Sequence, residues 1–225
     1  MKKVLFILIL FFSCYLIYNK TISDKKYFLS IGDSLSKGIN EYGVVSYGYN
    51  NYIKDYLLSK NKLKDYNNTF TSSDYRIKDI IKILEYNEVK NNYYLIRLIK
   101  QADIITISLG MNELYSKLED NNNTYTYIDN MINDYDKILY KISNFHHDKV
   151  YILGYYNITG TNEDIFNYAN YNLKKICNKY HYNYIDLSNI LDNNPKYLSN
   201  KTNYIPNREG YYKISQIIVE NLENN

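Results

Sequence analysis

The sequence contains no Trp, and only 2 Cys, 2 Pro, 8 Gly and 3 His in 225 residues. So little cysteine excludes a disulfide framework. Cys14 lies in the apolar N-terminus, which leaves Cys177 as the sole thiol of the folded part. There is no Cys-x-x-Cys and no His/Cys cluster, so no structural zinc site, and no other metal or organic cofactor, is implied. A basic block is missing as well. The net charge is +3 and Lys alternates with Asp and Glu along the chain, so nucleic acid is not indicated as a partner. Without an internal repeat or a dividing linker, the length fits one domain with a sizeable core.

Tyr is abundant instead: there are 30, alongside many Asn, Lys and Ile. This reads as a compositional bias of the whole genome. A sugar-binding Tyr surface is the alternative, but the tyrosines do not cluster in a way that prefers it.

Lys2 and Lys3 precede an uncharged run from Val4 to Tyr18, and Lys20 closes it. That order is the order of an export signal. The run, about 15 residues, is shorter than the roughly 20 of an ideal membrane span, and flanking Tyr and Lys can make up the difference at the interface. No small-x-small cleavage site follows, so an uncleaved anchor over residues 1–20 is the first expectation. A cleaved signal and a lipid-modified Cys14 are the alternatives. The positive-inside rule places the rest of the chain on the extracytoplasmic face. Residues 21–26 then form a linker and 27–225 the domain.

Along that domain, strand-like and helix-like patterns alternate. Buried strands are expected at 27–31, 103–109, 150–155 and 182–187, with a short one at 69–71. Helical spacing of apolar residues predicts helices over 50–60, 77–86, 93–101, 125–145, 162–180 and 209–222. Such alternation implies an α/β fold: a three-layer α/β/α sandwich around a parallel sheet of about five strands, flavodoxin-like in plan. The site of such a sheet lies at the C-terminal strand ends. That rule selects Asp33-Ser34, the segment after Phe70, and Gly110 to Glu113.

Four stretches, in order, carry a resemblance. They are Ile31-Gly32-Asp33-Ser34-Leu35, Phe70-Thr71-Ser72-Ser73-Asp74-Tyr75-Arg76, Ile107-Ser108-Leu109-Gly110-Met111-Asn112-Glu113-Leu114, and Ile205-Pro206-Asn207-Arg208-Glu209-Gly210-Tyr211. Together they resemble the sequence blocks of the SGNH/GDSL hydrolases. The resemblance implies a serine ester hydrolase with Ser34 as nucleophile and Asn112 as an oxyanion donor. It places the second-block oxyanion glycine on Asp74, whose backbone N–H could still donate. The general-base His falls on Ile205 and its orienting Asp on Thr202 or Asn203.

A serine hydroxyl needs a neighbouring base, so these substitutions bear on activity. His146, His147 and His181 precede strands and are expected at the end opposite the site, as plain surface residues. Glu113 and Asp74 are nearer candidates for an unusual base. Asp33 is expected to hold its loop through backbone hydrogen bonds, Gly38 and Gly110 to make turns, and Tyr211 to pack in the core. Three functions follow. One is an extracytoplasmic ester hydrolase acting on acyl or acetyl esters of lipid or envelope carbohydrate. Another is an inactive binding or scaffold module of the same fold at the membrane. The third is an acyltransferase to an envelope sugar.

Overall fold

Runs rich in Ile, Phe and Tyr form the strands of this protein in a computed structural model, which describes Phe12 and residues 24–120, 123–146, 149–198 and 204–224. The expected anchor, apart from Phe12, lies outside the described residues. Among those described, no helix is long and apolar enough to cross a membrane.

The chain opens with β1 (Lys26–Gly32) and the single turn α1 (Ser34–Lys37). It continues through α2 (Tyr49–Ser59), β2 (Leu63–Asn67) and α3 (Ile77–Tyr86). A two-stranded ribbon, β3 (Val89–Lys90) and β4 (Tyr93–Tyr94), precedes α4 (Leu95–Gln101) and β5 (Ile104–Ser108). The second half runs α5 (Met111–Asp120), α6 (Thr124–Ser143), β6 (Val150–Leu153) and α7 (Glu163–Lys179). Then come β7 (Asn183–Ile185), α8 (Ser188–Leu191) and α9 (Arg208–Asn224).

Five strands form one sheet in the order β2-β1-β5-β6-β7, with every neighbouring pair parallel. Every residue of β5 and β6 is buried, as is β1 from Tyr27 onward. That double-sided burial is why these runs are continuously apolar rather than alternating. The edge strand β2 instead exposes Lys64 and Asp65, charges that discourage pairing with another chain. Helix α2 packs on α9, while α6 packs on both α3 and α7, and these two layers cover the sheet. The stripe Ile128, Met131, Ile132, Tyr135, Ile138, Leu139 and Ile142 of α6 is wholly buried. Each such aliphatic side chain contributes about 1.5–3 kcal/mol. The three-layer α/β/α architecture is therefore as the alternation of patterns implied.

Two local expectations need correction, and one helix was not expected. The second strand is Leu63–Asn67, not 69–71; Thr71 makes a single bridge to Gly32. Its polar Lys64-Asp65 pair hid an edge strand that needs no apolar face. Residues 93–94 pair with 89–90 rather than starting a helix, because Asn91 and Asn92 take positive φ (49° and 66°) and close a tight hairpin. The unexpected helix is α5, which begins directly after the Gly110 turn.

One polar tie lies within the core. Buried Asn50 of α2 donates to Ser30 Oγ (2.6 Å) and to the Ser36 carbonyl (2.8 Å), and accepts from Thr106 Oγ1 (3.0 Å). It thus joins β1, α1 and β5. Removing it strands three buried polar groups, each loss worth about 1–3 kcal/mol. Asn50→Ala is expected to lower unfolding free energy by about 3 kcal/mol or more in urea denaturation, with an unchanged m-value. A shift below about 0.5 kcal/mol would show that the tie is energetically idle.

Candidate active site

The end of β1 fixes the site. Gly32 has φ of +143°, and a Cβ there would sit 1.9 Å from the Ser108 carbonyl oxygen, so only glycine lets β1 and β5 meet this closely. The following amide, Asp33 N–H, donates to that same carbonyl at 2.9 Å. Gly32 also donates to the Phe70 carbonyl (3.0 Å) and accepts from the Ser72 amide (2.9 Å). Three chain segments are thereby held side by side: 32–34, 70–75 and 108–113.

Asp33 caps α1, its Oδ1 accepting from the Leu35 amide (3.2 Å) and from Ser108 Oγ (3.0 Å). Ser34 is the first residue of α1 and is almost buried. Its Oγ lies 3.4 Å from the Ser73 carbonyl oxygen, long for a hydroxyl hydrogen bond. Asn112, near the start of α5, donates from Nδ2 to the same Ser73 oxygen at 3.0 Å. A carbonyl oxygen only accepts, so the amide nitrogen must face it. The Asn112 Oδ1 on the other side accepts from the Tyr204 hydroxyl. The amide orientation is thus fixed from both ends.

Ser73 and Asp74 are the central pair of a four-residue turn closed by Tyr75 N–H donating to the Ser72 carbonyl (3.2 Å). In a trans peptide the C=O and the next N–H point in opposite directions, and no described peptide is cis. With the Ser73 carbonyl aimed at Ser34 and Asn112, the Asp74 N–H points away, 3.5 Å from Ser72 Oγ.

Tyr204 also stacks on Tyr115, with centroids 4.7 Å apart and planes 9° from parallel, and its carbonyl accepts from the Tyr156 hydroxyl. Ile205, the next residue, is buried. Burial, followed by the charges of Asp33 and Glu113, pushes the Tyr204 phenol up to about 12, so it remains a donor. Thr202 and Asn203 lie outside the described residues, as does His147. His146 follows α6 and precedes β6, and His181 sits in the turn before β7. Both are at the N-terminal strand ends, opposite Ser34; His181 is exposed as expected, whereas His146 is buried rather than on the surface. Among the described residues no group of three potential metal ligands occurs.

Glu113 accepts the Ile77 amide through Oε1 (2.7 Å), tying α5 to the start of α3. Its Oε2 is buried without a hydrogen-bond partner among the described residues, as is Asp33 Oδ2. Glu113 also borders a cavity of about 360 Å³ that Arg76, Lys78, Tyr127 and Asp134 help to line. Burial raises the Glu113 carboxyl above its usual range. Asp33 is raised to about 7, first by burial and then by Glu113, against the hydrogen bonds from Ser108 and backbone amides. Gly38 ends α1 with φ of +76°, Gly110 turns the chain with φ of +97°, and Tyr211 is buried with its hydroxyl on the Ile39 carbonyl (2.5 Å).

Ser34, Asn112, Asp33, Glu113 and the Asp74 turn are therefore brought together, and Tyr204 joins them through Asn112. Sequence reasoning missed Ser73 and Tyr204. The first acts through its backbone, which leaves no sequence signal. The second could have been found as the residue directly before Ile205.

The sequence pattern of the GDSL-like lipase/acylhydrolase family matches residues 28–216. No curated protein sequence matches the chain. Among solved structures, the chain is similar to the lipase Lip_vut3 from a goat rumen metagenome. The two share 18% identity, with 87% of this chain and 97% of that one covered and a TM-score of 0.70. It is also similar to Axe2, an acetylxylan esterase from Geobacillus stearothermophilus, at 14% identity, 87% and 93% coverage and a TM-score of 0.66. A third likeness is to LAE5, an α/β hydrolase enzyme from the metagenome of Lake Arreo, Spain. There the identity is 13%, the coverage 84% and 90%, and the TM-score 0.60. At these identities the likenesses carry the fold alone.

The raised Asp33 carboxyl sets a pH dependence. Between the usual carboxylate range and about pH 7, the folded state binds a proton that the unfolded chain has lost, so stability falls as pH rises across that interval. Glu113 adds a fall of the same sign. Asp33→Asn keeps the cap but cannot ionise, and should flatten the slope by up to about 1.4 kcal/mol per pH unit. Urea denaturation at pH 5, 6 and 7 checks this; identical slopes in both proteins would mean that Asp33 titrates normally.

Proposed function

This chain belongs to the GDSL-like lipase/acylhydrolase family, and on that premise we propose that it is a slow serine ester hydrolase for acyl or acetyl esters of lipid or envelope carbohydrate. Ser34 is its nucleophile and Asn112 an oxyanion donor. One observation carries the reading: Ser34 Oγ and Asn112 Nδ2 both face a single oxygen atom, the Ser73 carbonyl, at 3.4 and 3.0 Å. The two side chains thus converge on one small space, as they would for an ester whose carbonyl oxygen takes the Asn112 amide while its carbonyl carbon, about 1.2 Å away, faces Ser34 Oγ.

The rate follows from the residue at the base position of the sequence pattern. Tyr204 donates, and the next residue, Ile205, cannot accept a proton. Loss of the base from a serine triad lowers kcat by a factor on the order of 10⁶, while binding and oxyanion stabilisation retain roughly 10³–10⁴ over water. Carbohydrate esters as substrates are supported by the likeness to an acetylxylan esterase, and lipid esters by the likeness to a lipase. The Lys2-Lys3 pair and the uncharged run to Tyr18 support a membrane-tethered, extracytoplasmic setting.

A second reading, an inactive module that binds such esters, is favoured by the same Ile205. The full chain in detergent decides between them. Slow turnover of short-chain aryl esters and fluorophosphonate labelling, both abolished in Ser34→Ala, are expected of the hydrolase. No Ser34-dependent signal would leave the binding module. In addition, Ile205→His combined with either Thr202→Asp or Asn203→Asp is expected, in one of the two pairs, to raise Ser34-dependent turnover by about 10² or more. An unchanged rate in both folded double variants would place the base position elsewhere.

A further inference from the structure

The Ser73 carbonyl stands where the oxygen of a bound ester would sit. It takes the Asn112 amide at 3.0 Å and lies within 3.4 Å of the Ser34 hydroxyl. An incoming ester needs the Asn112 amide for its carbonyl oxygen and an open approach from Ser34 Oγ to its carbonyl carbon, so this peptide has to turn away before a substrate can engage. Resting on the reading of Ser34 and Asn112 given above, we propose that Asp74 is a positioning residue that keeps the Ser73–Asp74 peptide turned into the site, holding the oxyanion position closed.

The physical reason lies in the turn. Tyr75 N–H donates to the Ser72 carbonyl, which makes Ser73 and Asp74 the two central residues. Asp74 is not among the described residues with positive φ, so the turn is of type I. Rotating the central peptide by about half a turn converts type I to type II, leaves the closing hydrogen bond in place, and requires positive φ at the second central residue. The carbonyl then points away, and the Asp74 N–H takes its place, facing Ser34 and Asn112. A non-glycine residue resists that conformation and glycine does not. The aspartate also brings a carboxylate near the site, but the backbone preference is the effect proposed here.

Neighbouring contacts make the turn the movable part. Ser73 and Asp74 are exposed, whereas Phe70 and Thr71 on one side and Ile77 on the other are buried. Asn112 cannot adapt instead, since the Tyr204 hydroxyl holds its Oδ1. The two hydrogen bonds between Gly32 and the 70–72 segment fix the approach to the turn without touching its central peptide.

The test reads the side-chain amide resonance of Asn112 in the ¹⁵N-labelled full chain in detergent, identified by its loss in Asn112→Ala. Asp74→Gly is expected to move it, since the Ser73 acceptor leaves, and Asp74→Asn to move it partway, because Asn tolerates positive φ. Asp74→Ala removes the same charge without the backbone freedom and is expected to leave the resonance in place. Fluorophosphonate labelling of Ser34 should rise about tenfold in Asp74→Gly. A resonance unmoved in Asp74→Gly overturns the proposal, and so does an equal movement in Asp74→Ala. If the resonance moves in Asp74→Gly while no variant is labelled, the peptide inference stands and the hydrolase reading fails.

Discussion

The close meeting of β1 and β5 at Gly32 and Ser108 is the constraint from which the site is built. With no side chain at Gly32, the Ser108 carbonyl can receive the Asp33 amide, and the Ser108 hydroxyl can reach the Asp33 carboxyl. That seam aims α1 and Ser34 in one direction and starts the turn into α5 and Asn112 in another. The 70–72 segment is pinned to the same glycine. A Cβ at position 32 would push apart three segments at once, and no adjustment of a distant helix could restore them.

Beneath the seam the interior is unusually phenolic. Tyr49, Tyr135, Tyr155, Tyr156 and Tyr211 are fully buried. Some of their hydroxyls have defined tasks: Tyr49 pairs with Ser36 Oγ, Tyr211 with the Ile39 carbonyl, and Tyr156 with the Tyr204 carbonyl. A composition that draws heavily on Tyr thus supplies both core volume and fixed polar ties between layers. Asp33 and Glu113 sit among these rings, and their burial is what raises both carboxyls. A site surrounded in this way favours neutral partners over charged ones.

Much of this was legible in the sequence. Continuous apolar runs gave β1, β5 and β6 away because strands covered on both faces need no polar side, and the seven-residue stripe of α6 is long enough to be unambiguous. Ser34 and Asn112 could be singled out because the C-terminal strand ends gather there, and they do converge. Other features had no signal to read. The edge strand β2 is half polar, so its pattern is that of a loop. The peptide orientation at Ser73–Asp74 depends on one dihedral sign. The tie from Tyr204 to Asn112 spans 92 residues of sequence, and nothing local marks either partner.

A parallel sheet has two unlike ends, and here they divide entry from chemistry. The chain enters the sheet at Lys26, the first residue of the seven-residue β1, and Ser34 lies just past the other end of that strand. At about 3.3 Å per residue the two points are roughly 20 Å apart. Anything joined to the domain ahead of β1 therefore meets it on the far side from Ser34. A chain segment attached at that end leaves the Ser34 end of the sheet unobstructed.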